Sequence, residues 1–104
     1  LKIEFLYFDG CPNYEKALQI LREVLKEQQL HAEINMTKIN TWEEAVEKQF
    51  LGSPSIRING KDIEGIERDD YGMKCRIYVT EGRLTGVPAK EMIVKALQES
   101  GGDS

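Results

Sequence analysis

Residues 2–14 read KIEFLYFDGCPNY, and in them a strand runs into a helix with a cysteine at the junction. Lys2–Phe8 is aromatic and aliphatic and too apolar at its end to alternate, which predicts a central strand covered on both faces. Asp9-Gly10 breaks it. Cys11-Pro12 then opens a helix, with Pro12 at the first helical position, where its missing N–H costs nothing. Tyr14, Ala17, Leu18, Leu21, Val24 and Leu25 follow at the i, i+3, i+4, i+7 spacing of one buried face.

Outward from this βα unit, Ala32–Ile39 returns to alternation and predicts a second strand, with Ile34, Met36 and Lys38 on one face. Thr41 with Glu44 three residues later is a capping-box signature. Trp42, Ala45, Val46, Gln49 and Phe50 outline the inner face of a second helix that Gly52 ends. Ser53-Pro54 precedes a third strand, Ser55–Asn59, closed by the tight-turn dipeptide Asn59-Gly60. Lys61–Met73 reads as a polar connection. Lys74–Val79 reads as the fourth strand, with Cys75, Ile77 and Val79 on its inner face and Arg83–Thr85 as a short returning arm. Pro88 starts the last helix, whose buried stripe is Ala89, Met92, Ile93, Ala96 and Leu97. The order β-α-β-α-β-β-α predicts an α/β fold: one four-stranded mixed sheet flanked by three helices. It forms a single domain over 1–99, followed by a frayed tail at 100–104.

Composition narrows the function. The chain has 104 residues and a net charge of −4, with its Lys and Arg scattered, so it lacks the basic footprint of nucleic-acid binding. The acidic cluster Glu64, Glu67, Asp69 and Asp70 reads as a solvated loop face. The longest fully apolar run is Phe5–Phe8, far short of the ~20 residues of a membrane helix, and no signal-peptide pattern is present. Two cysteines, Cys11 and Cys75, are too few for a disulfide scaffold or a four-cysteine metal site, and His31 is the only histidine. The expectation is a cytoplasmic protein with reduced thiols and no resident metal.

With Cys11 at a strand-to-helix junction and Pro54 opening a later strand, the chain resembles the thioredoxin-like superfamily, most closely its small bacterial glutaredoxin-like members. FDGCPNY stands where that family carries C-x-x-C. Ser53-Pro54-Ser55-Ile56-Arg57-Ile58-Asn59-Gly60, with Ile63 and Gly65, is similar to the glutaredoxin pattern x-P-x-V-F-I-x-G-x-x-I-G-G. The second cysteine of C-x-x-C would fall at position 14, where this chain has Tyr14, so the usual dithiol cycle cannot run within Cys11–Tyr14. The resemblance implies a thioredoxin-like fold and a cis Ser53–Pro54 peptide beside Cys11. It also implies glutathione as a co-substrate, and a Ser53 backbone that pairs with a peptide or glutathione like an added strand.

Five further expectations concern the site. Cys11, at a helix start, is the candidate nucleophile, its thiolate favoured by helix N–H groups and disfavoured by any close approach of Asp9. Pro12, Tyr14, Ser53 and Pro54 are the candidate substrate-binding residues, Tyr14 with its hydroxyl near the Cys11 sulfur. Cys75 is the candidate second catalytic thiol. Antiparallel pairing of its strand with Ser55–Asn59 places it a strand length (~17 Å) from Cys11, beyond the ~7 Å Cα limit of a disulfide, as an inert core thiol. The long loop at 61–74 leaves a less regular placement open. Trp42 and Phe50 read as core, and His31 as exposed at the pole away from Cys11.

Three functions follow as alternatives. One is thiol–disulfide exchange through Cys11 with an external thiol, glutathione or a protein. The second is a soft-metal binder, of the kind that holds Hg(II) between two thiolates, using Cys11 and Cys75. The third is a non-enzymatic binding module.

Overall fold

The structure, a computed structural model, describes residues 1–101. Its strands are β1 (Ile3–Tyr7), β2 (Ile34–Lys38), β3 (Ser55–Ile58), β4 (Lys61–Asp62), β5 (Tyr78–Thr80) and β6 (Arg83–Thr85); its helices are α1 (Tyr14–Glu27), α2 (Trp42–Glu47) and α3 (Lys90–Gly101). A four-stranded mixed sheet runs in the order β2-β1-β3-β4, with β1 parallel to β2 and antiparallel to β3. The expected mixed sheet with three helices is therefore observed.

The pleat of β1 divides the core. Ile3 and Phe5 turn to one face, where they pack with Ile56 and Ile58 of β3, Ala17, Leu21 and Val24 of α1, and Ile93 and Leu97 of α3. Leu6 turns to the other, against Ile39, Ala45 and Phe50. Burying Phe5 completely stabilises the fold by ~1.5–3 kcal/mol relative to leaving it exposed. The α1 periodicity holds, with Ala17, Leu21, Val24 and Leu25 buried. The Thr41 cap holds too: its hydroxyl accepts the Glu44 N–H at 3.1 Å, and the Glu44 carboxylate accepts the Asn40 N–H at 3.2 Å.

The fourth sheet strand is not Lys74–Val79. Asn59 and Gly60 both have positive φ (52° and 84°), the signature of a two-residue type I′ hairpin. Such a turn delivers the returning strand at once, so Lys61–Asp62 pairs with Ile58 and Arg57. The segment 78–85 forms a separate β5–β6 hairpin instead.

Other boundaries also move. Pro12 lies in a turn ahead of α1, whose N-cap is Asn13, and not at the first helical position. The α2 helix ends at Glu47, so Trp42 and Val46 are exposed and only Ala45 of that helix is buried; Trp42 instead lies over Gly72, where an added Cβ would meet its ring at 2.5 Å. Met36 is exposed because β2 is the sheet edge. The last helix starts at Lys90, two residues after Pro88, and Ser100 and Gly101 belong to it; the rest of the expected tail, 102–104, lies outside the described residues.

Candidate functional site

Cys11 stands just before α1, buried to 1% exposure, with its N–H donating to the Phe8 carbonyl at 3.2 Å. Its thiol donates to the main-chain oxygen of Ser53 at 3.2 Å. The Ser53–Pro54 peptide is cis. Cys11, Ser53 and Pro54, three of the residues expected at the site, are thus brought together.

Cys75 joins them, against the expectation of an inert core position far from Cys11. Ser53 and Cys75 form a parallel bridge: the Ser53 N–H donates to the Lys74 oxygen at 2.8 Å, and the Arg76 N–H donates to the Ser53 oxygen at 2.9 Å. Cys75 is exposed while Cys11 is buried, and both are free thiols. The Cys75 thiol pKa is raised, first by desolvation and then by Cys11, which acts on it both as a hydrogen-bonding partner and through charge. Both cysteines therefore stand beside Ser53, Cys11 through its thiol and Cys75 through the bridge.

The alternation expected in 75–79 is real, but its faces are exchanged. Arg76 and Tyr78 point in, while Cys75, Ile77 and Val79 point out. The Arg76 side chain is fully buried and grips both Asp62 carboxylate oxygens (2.6 and 2.5 Å), Glu64 (2.5 Å) and the Ser55 hydroxyl (3.1 Å). Its guanidinium lies 4.6 Å above the Tyr78 ring. Burial works against that charge, but the hydrogen bond and charge of Asp62 and the bond to Glu64 outweigh it, so the guanidinium stays protonated. The Tyr78 hydroxyl donates to the Pro54 oxygen at 2.6 Å, and burial pushes its pKa well above the ordinary phenol.

Gly52 makes the close approach possible. Its φ is +114°, and a Cβ there would lie 3.0 Å from the Lys74 oxygen and 3.2 Å from the Arg76 Cβ.

Pro12 is exposed next to Cys11. Tyr14 does not serve the sulfur: its ring stacks on Tyr7 at 4.6 Å, and the Cys11 thiol bonds to the Ser53 oxygen instead. Its pKa is raised by desolvation and by Glu15 and Asp9. Asp9 is paired with Lys38 at 2.6 Å, an exposed ion pair of small energetic weight. The acidic loop is only partly a solvated face: Glu64 and Asp70 bind Arg68, and Asp70 also binds Lys74, while Glu67 and Asp69 stay exposed. His31 is exposed, as expected.

Arg76, Tyr78, Asp62, Glu64 and Gly52 were not among the candidates. The one signal for Arg76 is a charged residue alternating with the apolar positions of 74–79, which reads equally well as a solvent-facing side chain. Among the described residues no group of three or more His, Cys, Asp or Glu side chains is placed to hold a metal, and no helix is long and apolar enough to cross a membrane.

Fold and site together define a mixed α/β domain with two free cysteines beside a cis-proline loop. The family described as "Domain of unknown function (DUF2703)" matches residues 1–97, and the chain belongs to it. No curated protein and no solved structure matches the chain.

Proposed function

We propose that this domain is a thiol–disulfide redox protein of thioredoxin-like fold that works through Cys11 and Cys75. The observation that carries the reading is the Ser53–Cys75 bridge, which sets an exposed thiol against a buried one. The parallel β1-α1-β2 unit, the antiparallel β3–β4 hairpin, the closing helix α3 and the cis Ser53–Pro54 peptide beside Cys11 support the thioredoxin-like part. Cys75 takes the place of the second cysteine that Tyr14 displaces from the helix motif.

Exposure exchanges the roles expected of the two thiols. The Cys75 thiolate attacks an external disulfide, forming a mixed disulfide and releasing one thiolate of the substrate. The Cys11 thiolate then attacks the Cys75 sulfur, closing a Cys11–Cys75 disulfide and releasing the second substrate thiolate. The protein gives up two electrons and two protons, and the substrate disulfide becomes two thiols. Glutathione disulfide or a protein disulfide fits this exchange, and a reducing compartment such as the cytoplasm regenerates the dithiol. An added substrate strand at Ser53 is not part of the reading, because both Ser53 main-chain groups are already engaged.

The test is non-reducing peptide mapping after incubation with glutathione disulfide. A Cys11–Cys75 link is expected in the native chain, and a lasting glutathione adduct on Cys75 in Cys11→Ser. If neither thiol changes, the redox reading fails and a non-enzymatic binding module takes its place.

The two cysteines beside Ser53 also favour a second reading, a soft d10 cation held linearly between two thiolates. Titration with Hg(II) expects a one-to-one complex with a thiolate–metal absorption band that Cys75→Ser abolishes; equal binding by that variant rules this reading out.

A further inference from the structure

Three elements converge on residue 76. Its main-chain N–H holds the Ser53 oxygen, its side chain enters the interior, and the residue before it carries the exposed thiol. The acceptors of that side chain all belong to the β3–β4 hairpin or its immediate continuation: Ser55 on β3, Asp62 on β4, and Glu64 two residues on. These carboxylates are mostly buried, at 13% and 15% side-chain exposure, so they are held in place and not free to follow a wandering arginine. Because side chains alternate along an extended segment, anchoring Arg76 inward forces Cys75 outward beside Ser53.

Apart from this anchor, the main-chain bonds of 74–76 among the described residues are the two to Ser53, an isolated bridge outside the sheet strands. Such a short, isolated bridge has no ladder on either side to stabilise it.

We infer that Arg76, gripped by Asp62 and Glu64, is a positioning residue that sets the effective concentration of the Cys75 thiol at Cys11. This rests on the redox reading above. It makes the ease of forming the internal disulfide a property of an ion-pair latch whose carboxylates, Asp62 and Glu64, lie more than ten residues before Cys75 in sequence. With the latch intact, closure of the disulfide starts from ordered neighbours, and little freedom is lost when the bond forms. With the latch removed, the segment samples other positions and the thiols meet less often.

The experiment equilibrates the full chain with glutathione and glutathione disulfide, quenches with acid, and measures the fraction of Cys11–Cys75 disulfide. The equilibrium constant of the exchange, in which one glutathione disulfide becomes two glutathione thiols, has the units of an effective concentration. Arg76→Met, which keeps the bulk of the side chain but none of its donors, should lower it at least about tenfold, a shift of about 30 mV for this two-electron couple. Glu64→Gln keeps the Asp62 pair and should lower it about threefold, and Arg76→Lys should recover part of the loss. A clamp that serves stability alone would lower the melting temperature of reduced and oxidised forms alike and leave the equilibrium in place. If Arg76→Met does not fold by circular dichroism, Glu64→Gln and Arg76→Lys decide the matter. A native disulfide whose equilibrium stays within twofold in the folded variants overturns the latch and leaves the redox reading standing. No disulfide in the native chain overturns both.

Discussion

Ser53 and Cys75 face each other in a parallel bridge, with the Ser53 N–H on the Lys74 oxygen at 2.8 Å and the Ser53 oxygen accepting the Arg76 N–H at 2.9 Å. The same Ser53 oxygen accepts the Cys11 thiol at 3.2 Å. One carbonyl thus joins the segment that carries the second thiol to the thiol at the head of α1. The chain supplies its own partner segment at the cis-proline loop, so both main-chain groups of Ser53 are engaged within the chain.

The Cys75 thiol pKa is raised by desolvation and by Cys11. Its alkylation by iodoacetamide should therefore have a pH midpoint above that of an ordinary thiol, about 8.5. In Cys11→Ser the part due to Cys11 disappears and the midpoint should move down, by an amount limited by the desolvation that stays. An unchanged midpoint would show that the thiols do not interact in solution.

Tyr78→Phe removes the donor to the buried Pro54 oxygen without changing ring packing. Leaving that carbonyl unpaired should cost about 1–2 kcal/mol, read as a lower urea midpoint at constant m-value. A loss under about 0.3 kcal/mol would mean the carbonyl finds another partner.

Gly52→Ala places a Cβ 3.0 Å from the Lys74 oxygen on a residue with φ of +114°. Strain and the displaced segment together should cost about 1–3 kcal/mol. Because the collision falls on the segment that carries Cys75, the variant should also form less Cys11–Cys75 disulfide in a fixed glutathione buffer. Normal disulfide formation would place the cost elsewhere.

Asp70 is held well below the usual carboxylate range by hydrogen bonds from Arg68 and Lys74. A carboxyl depressed in the folded state stabilises above its unfolded value, about 3.9, and that contribution is lost as the pH falls through the lower folded value. Its side chain is 47% exposed, so the effect is screened. Asp70→Asn should cost no more than about 0.5 kcal/mol at pH 7, and the gap to the native chain should shrink below pH 4. A gap that persists at pH 2 would mean packing, and not charge, is responsible.

Short-range signals were legible where a local physical cause acts. The α1 stripe, the Thr41 cap and the Asn59-Gly60 turn all appear at the residues read for them, because helix period, capping and positive φ depend on near neighbours. The same turn has a further consequence: a type I′ pair delivers its partner strand immediately, which places β4 at Lys61–Asp62 and leaves Lys74–Val79 outside the sheet. Trp42 and Val46 fit a helical face, yet α2 is too short to bury them.

Cys11, Ser53 and Pro54 were candidates from their motifs and the resemblance those motifs carry, and the structure brings the three together. For 75–79 the sequence determined the period of two and nothing more. Apolar alternation normally marks the buried side, but which side turns in depends on what receives it. Here Asp62 and Glu64 wait inside, 14 and 12 residues before Arg76, and a buried guanidinium left without them would be strongly unfavourable. Their grip turns Arg76 inward and, by the same one-residue step, turns Cys75 outward beside Ser53. Only the tertiary structure decided that, because the choice between two faces was made by a charge pairing that local pattern does not contain.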